Sequence, residues 1–545
     1  MKKLFVFFMC MIVMSVVVAC SSNSSEDASN APEPQTTTDD TSTTTEPNAS
    51  EASEEETDEM LPLTVGLEAE PTSLDPFNAT DGNSANIQQT IYEGLLRFDP
   101  DMNLEFLLAT GYEYNEDATA ITFTLRQGVT FHDGSTFNAE VVKANLDFVR
   151  NDENGLARSS FFSFIDEVII EDENTVTIRS AEPNSAMASY MAHVSATFKS
   201  INEITKKVED SDYNLDRNAI GTGPYKFLEW KDGQYVKVVP NDNYWNADQL
   251  PKLKDITFIP VQEASTRVNM LKTGELDVIS KLPTLNAEEL SQAEGIDVFT
   301  GPSLNVFYVG ISLKHEKYQD VRVRQAMNYA IDKNALISQV VDGYGTIADS
   351  AIAPGVYGYK SQQAYTYDLD KAKQLMEEAG YENGFEATLW TRNETSFVAV
   401  AENIAIQLEK IGVKVKVEPY ESGTLFDMLD NNKGTDLYIG RWSPGTGEAD
   451  WGLRPNFASD RVPPNYNNSG FYVNEQVDTL LNSAIQTSDQ NEALAHYAEV
   501  QEIVYEEAPW LFLFVPDNVV AKRSNVSGVT VLPADSVLVG NADKE

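Results

Sequence analysis

Apolar and polar residues follow two recurring periods along this chain. Ala120-Ile121-Thr122-Phe123-Thr124-Leu125-Arg126 alternates strictly and then meets Gly128, which predicts a strand. Leu63-Thr64-Val65-Gly66-Leu67 reads as another strand, with turns marked by Glu70-Pro71 and Asp75-Pro76. Val168-Ile169-Ile170 and Thr175-Val176-Thr177-Ile178 flank Glu171-Asp172-Glu173-Asn174, the pattern of a hairpin. Further on the period lengthens. Phe397, Ala401, Ile404, Leu408 and Ile411 recur at helical spacing and stop at Gly412. Val413, Val415 and Val417 then alternate with lysines as a strand ending at Pro419, and Ala387-Thr388-Leu389-Trp390 is a strand before the helix. This strand–helix–strand unit is the building block of an open parallel sheet, and it predicts an α/β fold. Asp368 is a predicted N-cap for a helix over 370–379 that Gly380 closes. No short-period repeat is present, which excludes a solenoid or a propeller.

The first sixty residues have neither period. Met1-Lys2-Lys3 is followed by an apolar run over 4–14 that extends through Ala19, meets Cys20 and turns at once to Ser21-Ser22-Asn23. A basic start and a short apolar run read as a secretory signal, residues 1–20. The run is shorter than the roughly 20 apolar residues of a membrane span. Residues 21–60 hold 16 Ser/Thr and 12 Asp/Glu with no Lys or Arg. Such a segment buries too little apolar surface to offset its ordering entropy, so it is expected to be a disordered acidic tether of roughly 35 Å.

Composition narrows the function. Across 545 residues, 85 Asp+Glu oppose 39 Lys+Arg, a net charge of −46 that excludes nucleic acid as a partner, because phosphate binding needs a basic surface. With +2 in the leader and −12 in the tether, −36 remains on the folded body. The only cysteines are Cys10 and Cys20, so no disulfide framework is expected, and His132, His193, His315 and His496 are too scattered for a His-rich metal site. His132-Asp133-Gly134 reads as a turn after a strand. Gly221-Thr222-Gly223 lacks the third glycine of a dinucleotide loop, and neither a Gly-x-Ser-x-Gly elbow nor a His-Glu-x-x-His zinc motif is present. No catalytic set, metal or cofactor is expected, and the chain is not expected to be an enzyme.

Several stretches resemble one family, the extracellular solute-binding proteins of ABC importers, in its dipeptide/oligopeptide-binding branch (family 5). They are the segment from Thr122 through Gly134 to Val142, then Gly221-Thr222-Gly223-Pro224-Tyr225, Thr273-Gly274-Glu275-Leu276-Asp277, and Val323-Arg324-Gln325-Ala326-Met327-Asn328-Tyr329-Ala330-Ile331-Asp332. The blocks stand in the family's order over nearly all of the folded body. Ser443-Pro444-Gly445-Thr446-Gly447-Glu448-Ala449-Asp450-Trp451, Phe457-Ala458-Ser459, Pro463-Pro464 and Phe471-Tyr472-Val473-Asn474 resemble the glutathione-binding members. Dipeptide-binding members carry a carboxylate where Gly445 falls and a tryptophan where Ser422 falls, and the sparse histidines disfavour the nickel-binding members. Val17-Val18-Ala19-Cys20 resembles a bacterial lipobox, which implies lipidation of Cys20 and a protein anchored on the outer face of the cell membrane.

The resemblance implies a two-lobed fold of the periplasmic-binding-protein type with an inserted subdomain. Lobe one is expected at 61–300 with the insertion at about 100–197, lobe two at 301–514, and 515–545 returning to lobe one. Hinge crossover strands are expected near 305–312 and 514–521. The implied function is capture of glutathione or a similar short peptide by lobe closure and delivery to the permease and ATPase subunits of the importer, with the protein acting as a monomer. A broader oligopeptide receptor and a surface peptide hydrolase remain alternatives.

Ligands of open α/β sheets bind beyond the carboxyl ends of the strands, which directs attention past Trp390 and Gly440. Glutathione has two carboxylates and an ammonium, and arginine suits the carboxylates. Arg441 and Arg392, each at a strand end, and Arg454 are therefore candidates for that role. Asp450 is the candidate for the ammonium, with Glu448 as its alternative. Trp390 and Trp442 are expected to wall the cleft, Ser422, Ser443 and Thr446 to supply hydrogen bonds, and the loop Asp81-Gly82-Asn83-Ser84 to be lobe one's contribution.

Overall fold

The computed structural model describes residues 60–431, 434–464 and 467–545. The leader, Cys20 and all but the last residue of the tether lie outside the described residues. A mixed twelve-stranded sheet is the backbone of the molecule. At one end Val413–Tyr420, Phe385–Arg392, Leu437–Trp442 and Val306–Ile311 lie side by side; at the other are Val278–Ile279, Leu63–Leu67, Ile256–Pro260, Tyr235–Pro240 and Tyr225–Lys231. The expected α/β, two-lobed class is the one found.

One strand joins the two ends. Trp510–Arg523 runs for 14 residues. Its first half pairs antiparallel with Val306–Ile311 and Gly345–Ile347, its second half with Ile296–Pro302 and Val278–Ile279. The change of partner falls at Pro516 and Asp517. Beside it the chain crosses from Ile296–Pro302 to Val306–Ile311 through Ser303-Leu304-Asn305, which lies outside both strands and is tied down by Ser303 N–H to the Pro516 carbonyl at 3.1 Å and Leu304 N–H to the Pro533 carbonyl at 3.0 Å. Two crossings with a proline at or next to each turnover form the natural place for rotation, since Pro donates no ladder hydrogen bond.

A second, four-stranded antiparallel sheet of Ala109–Tyr114, Ala120–Leu125, Thr175–Ser180 and Ile165–Asp172 carries its own core with the helix Ala139–Val149. The expected hairpin is there, its strands two residues longer than the turn residues implied, since Glu171 and Asp172 complete a strand. In the large sheet, Phe385–Arg392 pairs parallel with Val413–Tyr420 across the helix Thr395–Glu409, as the sequence period predicts. That last strand does not stop at Pro419 but runs one residue further; it is the edge of the sheet, where a missing N–H costs nothing. Asp368 caps Leu369–Glu378 by accepting from Lys371 N–H.

Close packing inside the large sheet brings the cleft face into register. Tyr308 is paired with Gly440 and Tyr438 with Gly310, and a Cβ on either glycine would stand 2.1 Å from the opposing ring. Tyr308 also stacks on Trp510 at 3.5 Å. Only glycine leaves room for these rings, which seat the strand end carrying Arg441 against Phe307. Among the described residues no helix is long and apolar enough to cross a membrane.

Candidate functional site

A cavity of about 480 Å³ opens between the two ends of the sheet. Its wall on one side comes from the helix Gly82–Ile91 and the loops around Arg158 and His193, and on the other from Arg441 and Ser443-Pro444-Gly445. Asp81 starts the helix because its carboxylate accepts from Ser84 N–H at 2.8 Å. Burial disfavours that charge, but hydrogen bonds from Thr72 and Ser84 outweigh it and hold the carboxyl below its usual range. Glu93 also reaches the wall, yet it is spent: Thr222, Tyr244 and Trp245 donate to it at 2.7, 2.7 and 2.8 Å.

The cations differ in the same way. Arg97 is bound to Glu105 at 2.9 Å and Lys281 to Glu68 at 3.1 Å. Arg158 has no ion pair among the described residues; its Nε donates to the Ala79 carbonyl at 2.9 Å, and burial pushes its guanidinium below the ordinary range. Arg441, on the opposite wall, has neither hydrogen bond nor ion pair among the described residues. Asp81 on the same wall opposes the shift of Arg158 by its charge, but among the described residues neither arginine forms a salt bridge, and the two face one cavity from both sides in a chain of net charge −46.

His193 lines the same cavity and feels the Arg158 charge. Its Nδ1 accepts from Ser195 N–H at 3.0 Å, so the proton of the neutral ring sits on Nε2. A Cβ placed on Gly445 would be 3.5 Å from that nitrogen. Burial, with Phe161 4.7 Å away and Arg158 adding its charge, pushes the imidazole down to about 3. An unfolded histidine titrates near 6.5, so below that pH the unfolded chain binds a proton the folded chain refuses. This group's contribution is therefore fully present above about 6.5 and is lost progressively as pH falls from there toward the folded value of about 3. His193→Gln keeps an acceptor for Ser195 without titrating. It is expected to flatten the loss of unfolding free energy between about pH 6.5 and 4.5 by up to about 1.4 kcal/mol per unit. Identical slopes in urea titrations of the two proteins would mean the folded ring is charged.

Of the residues singled out by sequence, Arg441 and Ser443 line the cavity, as do Asp81 and Gly82 of the expected loop. The others are not on its wall. Trp390 is core, with Nε1 3.2 Å from Glu418. Arg392 lies over Phe397 at 4.2 Å and beside Glu394 at 3.7 Å. Ser422 donates to Glu394 at 3.2 Å, and Trp442 donates to the Gly452 carbonyl at 2.9 Å. Thr446 is buried and donates to Glu448, the N-cap of Ala449–Phe457. Asp450 and Arg454 satisfy each other through two bonds of 2.7 and 2.8 Å, and Tyr497 donates to the same carboxylate. Glu448 is pushed up to about 7 by burial and the neighbouring Asp450 charge. Arg158, His193, Asn305 and Asp535 reach the cavity from irregular segments with no periodic signal in the sequence.

The two sides touch above the cavity. Met102, at the tip of the hairpin Leu96–Phe98/Leu104–Phe106, is 2% exposed within the opposite core, and a Cβ on Gly447 would meet its Cε at 2.6 Å. Ser185 N–H donates to the Ile485 carbonyl at 3.0 Å, and Trp451 meets Tyr190 edge-on at 6.0 Å. Gly447 also has φ of +68°, so glycine here serves both the turn and the close approach.

A cavity closed between two lobes that meet at a double crossover is the geometry of a binding protein, and residues 103–463 match the family model of bacterial extracellular solute-binding proteins, family 5, middle region. The chain belongs to this family. Among relatives of this solute-binding protein, the glutathione-binding protein GsiB of Salmonella typhimurium is 35% identical over 486 residues, covering 88% of this chain and 94% of the relative. GsiB of Pectobacterium atrosepticum is 37% identical over 467 residues, covering 85% and 90%. HbpA2 from Haemophilus parasuis has a similar structure, with a TM-score of 0.81 at 26% identity over 89% of this chain and 100% of the other. The ABC transporter-associated periplasmic binding protein DppA from Helicobacter pylori, solved with the peptide STSA, has a TM-score of 0.72 at 25% identity over 89% and 98%. A family 5 solute-binding protein is a transport receptor and not an enzyme, which removes surface hydrolysis from the alternatives.

Proposed function

We propose that this solute-binding protein is the lipid-anchored capture subunit of an ABC importer, and that its ligand is glutathione or a short peptide like it. The observation that carries the reading is the pair Arg158 and Arg441, two guanidiniums with no salt bridge among the described residues, on opposite walls of one cavity. A ligand with two carboxylates answers both, and about 480 Å³ is within the range that holds small ligands. The glutathione-binding relatives at 35% and 37% identity point the same way. The net charge of −36 on the body repels an anionic peptide at long range, so local arginines must supply the attraction.

In this reading lobe one comprises 61–300 and 515–545, lobe two 301–514, and the insertion about 100–197. A ligand that touches both lobes only when they are closed shifts the population toward closure by its differential affinity. The closed body is then what the permease meets, and Cys20 carries the lipid that holds it at the membrane through the tether. Anchoring is checked by incorporation of a labelled lipid precursor that Cys20→Ala abolishes.

The ligand is tested by mass spectrometry of the protein as purified, and by calorimetry with reduced and oxidised glutathione against a panel of di- and tripeptides. Saturable heat from glutathione is expected. The Helicobacter pylori DppA with its bound tetrapeptide favours a broader peptide receptor as the second reading. Heat from generic peptides with none from glutathione would establish that reading and overturn the first.

A further inference from the structure

A second chamber of about 220 Å³ lies against the hinge, between the crossing at Ser303, Asn305 and Phe307 and the crossing at Pro516 and Asp517. It shares Arg441, Lys281, Asn305 and Asp535 with the large cavity. Most of its polar groups are already engaged. Lys281 is paired with Glu68, and Thr284 donates to Asp342 at 2.7 Å. Ser303 accepts from Asn305 N–H at 3.1 Å, and Asn305 itself donates to Asp535 at 3.4 Å. Asn518 donates to the carbonyls of Leu532 and Pro533, both at 3.2 Å.

Two groups remain. Asp517 is half-buried, and among the described residues nothing donates to its carboxylate; burial alone pushes that carboxyl up. Arg441 is the other: its side chain lines the chamber and is exposed, and it forms no salt bridge among the described residues. Asp517 is half-buried and Arg441 exposed, and the two have opposite signs and opposite hydrogen-bonding character: the carboxylate only accepts, the guanidinium only donates. A chamber of this size that offers one acceptor anion and one donor cation is complementary to an ammonium and a carboxylate held close together. That is the head of a free α-amino acid.

We propose that the hinge chamber is the subsite for the free α-amino-acid end of the ligand, with Asp517 taking the ammonium and Arg441 the carboxylate. The rest of the ligand lies in the large cavity, its second carboxylate toward Arg158. This deepens the proposed function and rests on it. The subsite distinguishes how a peptide is linked. In a γ-glutamyl peptide the ammonium and a carboxylate sit on one carbon and enter the chamber together. In an α-linked tripeptide the terminal carboxylate is roughly 10 Å from the ammonium when extended, and in α-Glu-Cys-Gly the carboxylate that stays on the first residue is the side-chain one, so no carboxylate shares the carbon that bears the ammonium. Because the chamber is walled by both crossings, occupying it also bridges the two segments whose rotation closes the cleft.

The experiment compares three ligands by calorimetry with the full folded chain: glutathione, its α-linked isomer α-Glu-Cys-Gly, and a glutathione lacking the amine (glutaryl-Cys-Gly). Glutathione is expected to bind the wild-type protein about 10- to 150-fold tighter than either of the others, the range for a hydrogen bond to a charged group. Asp517→Asn is expected to weaken glutathione by a similar factor and the deamino ligand by less than about twofold, so that the variant no longer distinguishes them. Should Asp517→Asn not fold, the comparison of ligands on the wild-type protein still decides. Equal affinity for glutathione and its deamino form, or glutathione binding untouched by Asp517→Asn, would overturn the subsite while leaving glutathione as the ligand. No glutathione binding at all would overturn both.

Discussion

Replacing Lys199 with methionine is expected to remove about 3–5 kcal/mol of folding free energy, the usual loss when one partner of a buried ion pair is deleted. Lys199 and Asp75 are 0% and 2% exposed and bonded directly to each other, deep in the core of the inserted sheet. The ammonium also lies 3.3 Å over the Phe77 ring. Burial pushes the lysine down, and Asp75 opposes that shift. Around the pair, Asn145 accepts from Lys199 N–H and donates to its carbonyl, at 3.0 and 2.9 Å, which ties the segment to the helix Ala139–Val149. Methionine fills the volume but leaves the Asp75 carboxylate with the Phe77 N–H and no cation. Urea unfolding reads the loss directly. Adding Asp75→Leu to Lys199→Met removes both charges and is expected to regain most of it, since an apolar pair of similar volume is often no worse than a buried ion pair. A single-variant loss below about 1 kcal/mol, the scale of an exposed pair, would show that the pair is not what holds this core.

Arg441→Ala is expected to weaken ligand binding by about 1.5–3 kcal/mol, or ~10- to 150-fold in Kd, if it holds a ligand carboxylate. The same change should leave the stability of the ligand-free protein unaltered. Arg441 makes no described hydrogen bond or ion pair, and its charge already works against that of Arg392. Calorimetry and ligand-free thermal unfolding, run side by side, separate the two effects. Arg441→Lys is expected to fall between, because an ammonium cannot form the two parallel bonds of a guanidinium. An unchanged Kd for Arg441→Ala would take this residue out of the site and the hinge subsite with it.

Local pattern and spatial proximity explain what was legible in the sequence. The unit from Phe385 to Tyr420 was readable because alternation and helical recurrence are properties of neighbouring residues, and burial on one face imposes them. The place of Arg441 on the cavity wall was readable because a strand end in an open sheet borders the crevice. Asp450 and Arg454 have the composition of a ligand site, yet their spacing of four on Ala449–Phe457 puts them on one face of a helix, where they neutralise each other. Trp390 and Trp442 likewise bond to Glu418 and to the Gly452 carbonyl and are not on the cavity wall. Arg158 and His193 had no local signal, because each sits in an irregular segment and gains its place from contacts far along the chain, Arg158 through the Ala79 carbonyl and His193 through its approach to Gly445.

By itself, then, the sequence determined the α/β class, the family and the sign of the charge that a ligand must overcome. These follow from periodicity, ordered motifs and composition, all of which exist before the chain folds. Only the tertiary structure decided which charges remain unpaired. A guanidinium is available to a ligand when no partner reaches it and the fold turns it into a cavity; the acids that pair Arg97, Arg392 and Arg454 are near in sequence, whereas the shared cavity is assembled from distant segments. Arg97, Arg392 and Arg454 found acids, while Arg158 and Arg441 came to face one cavity across a hinge.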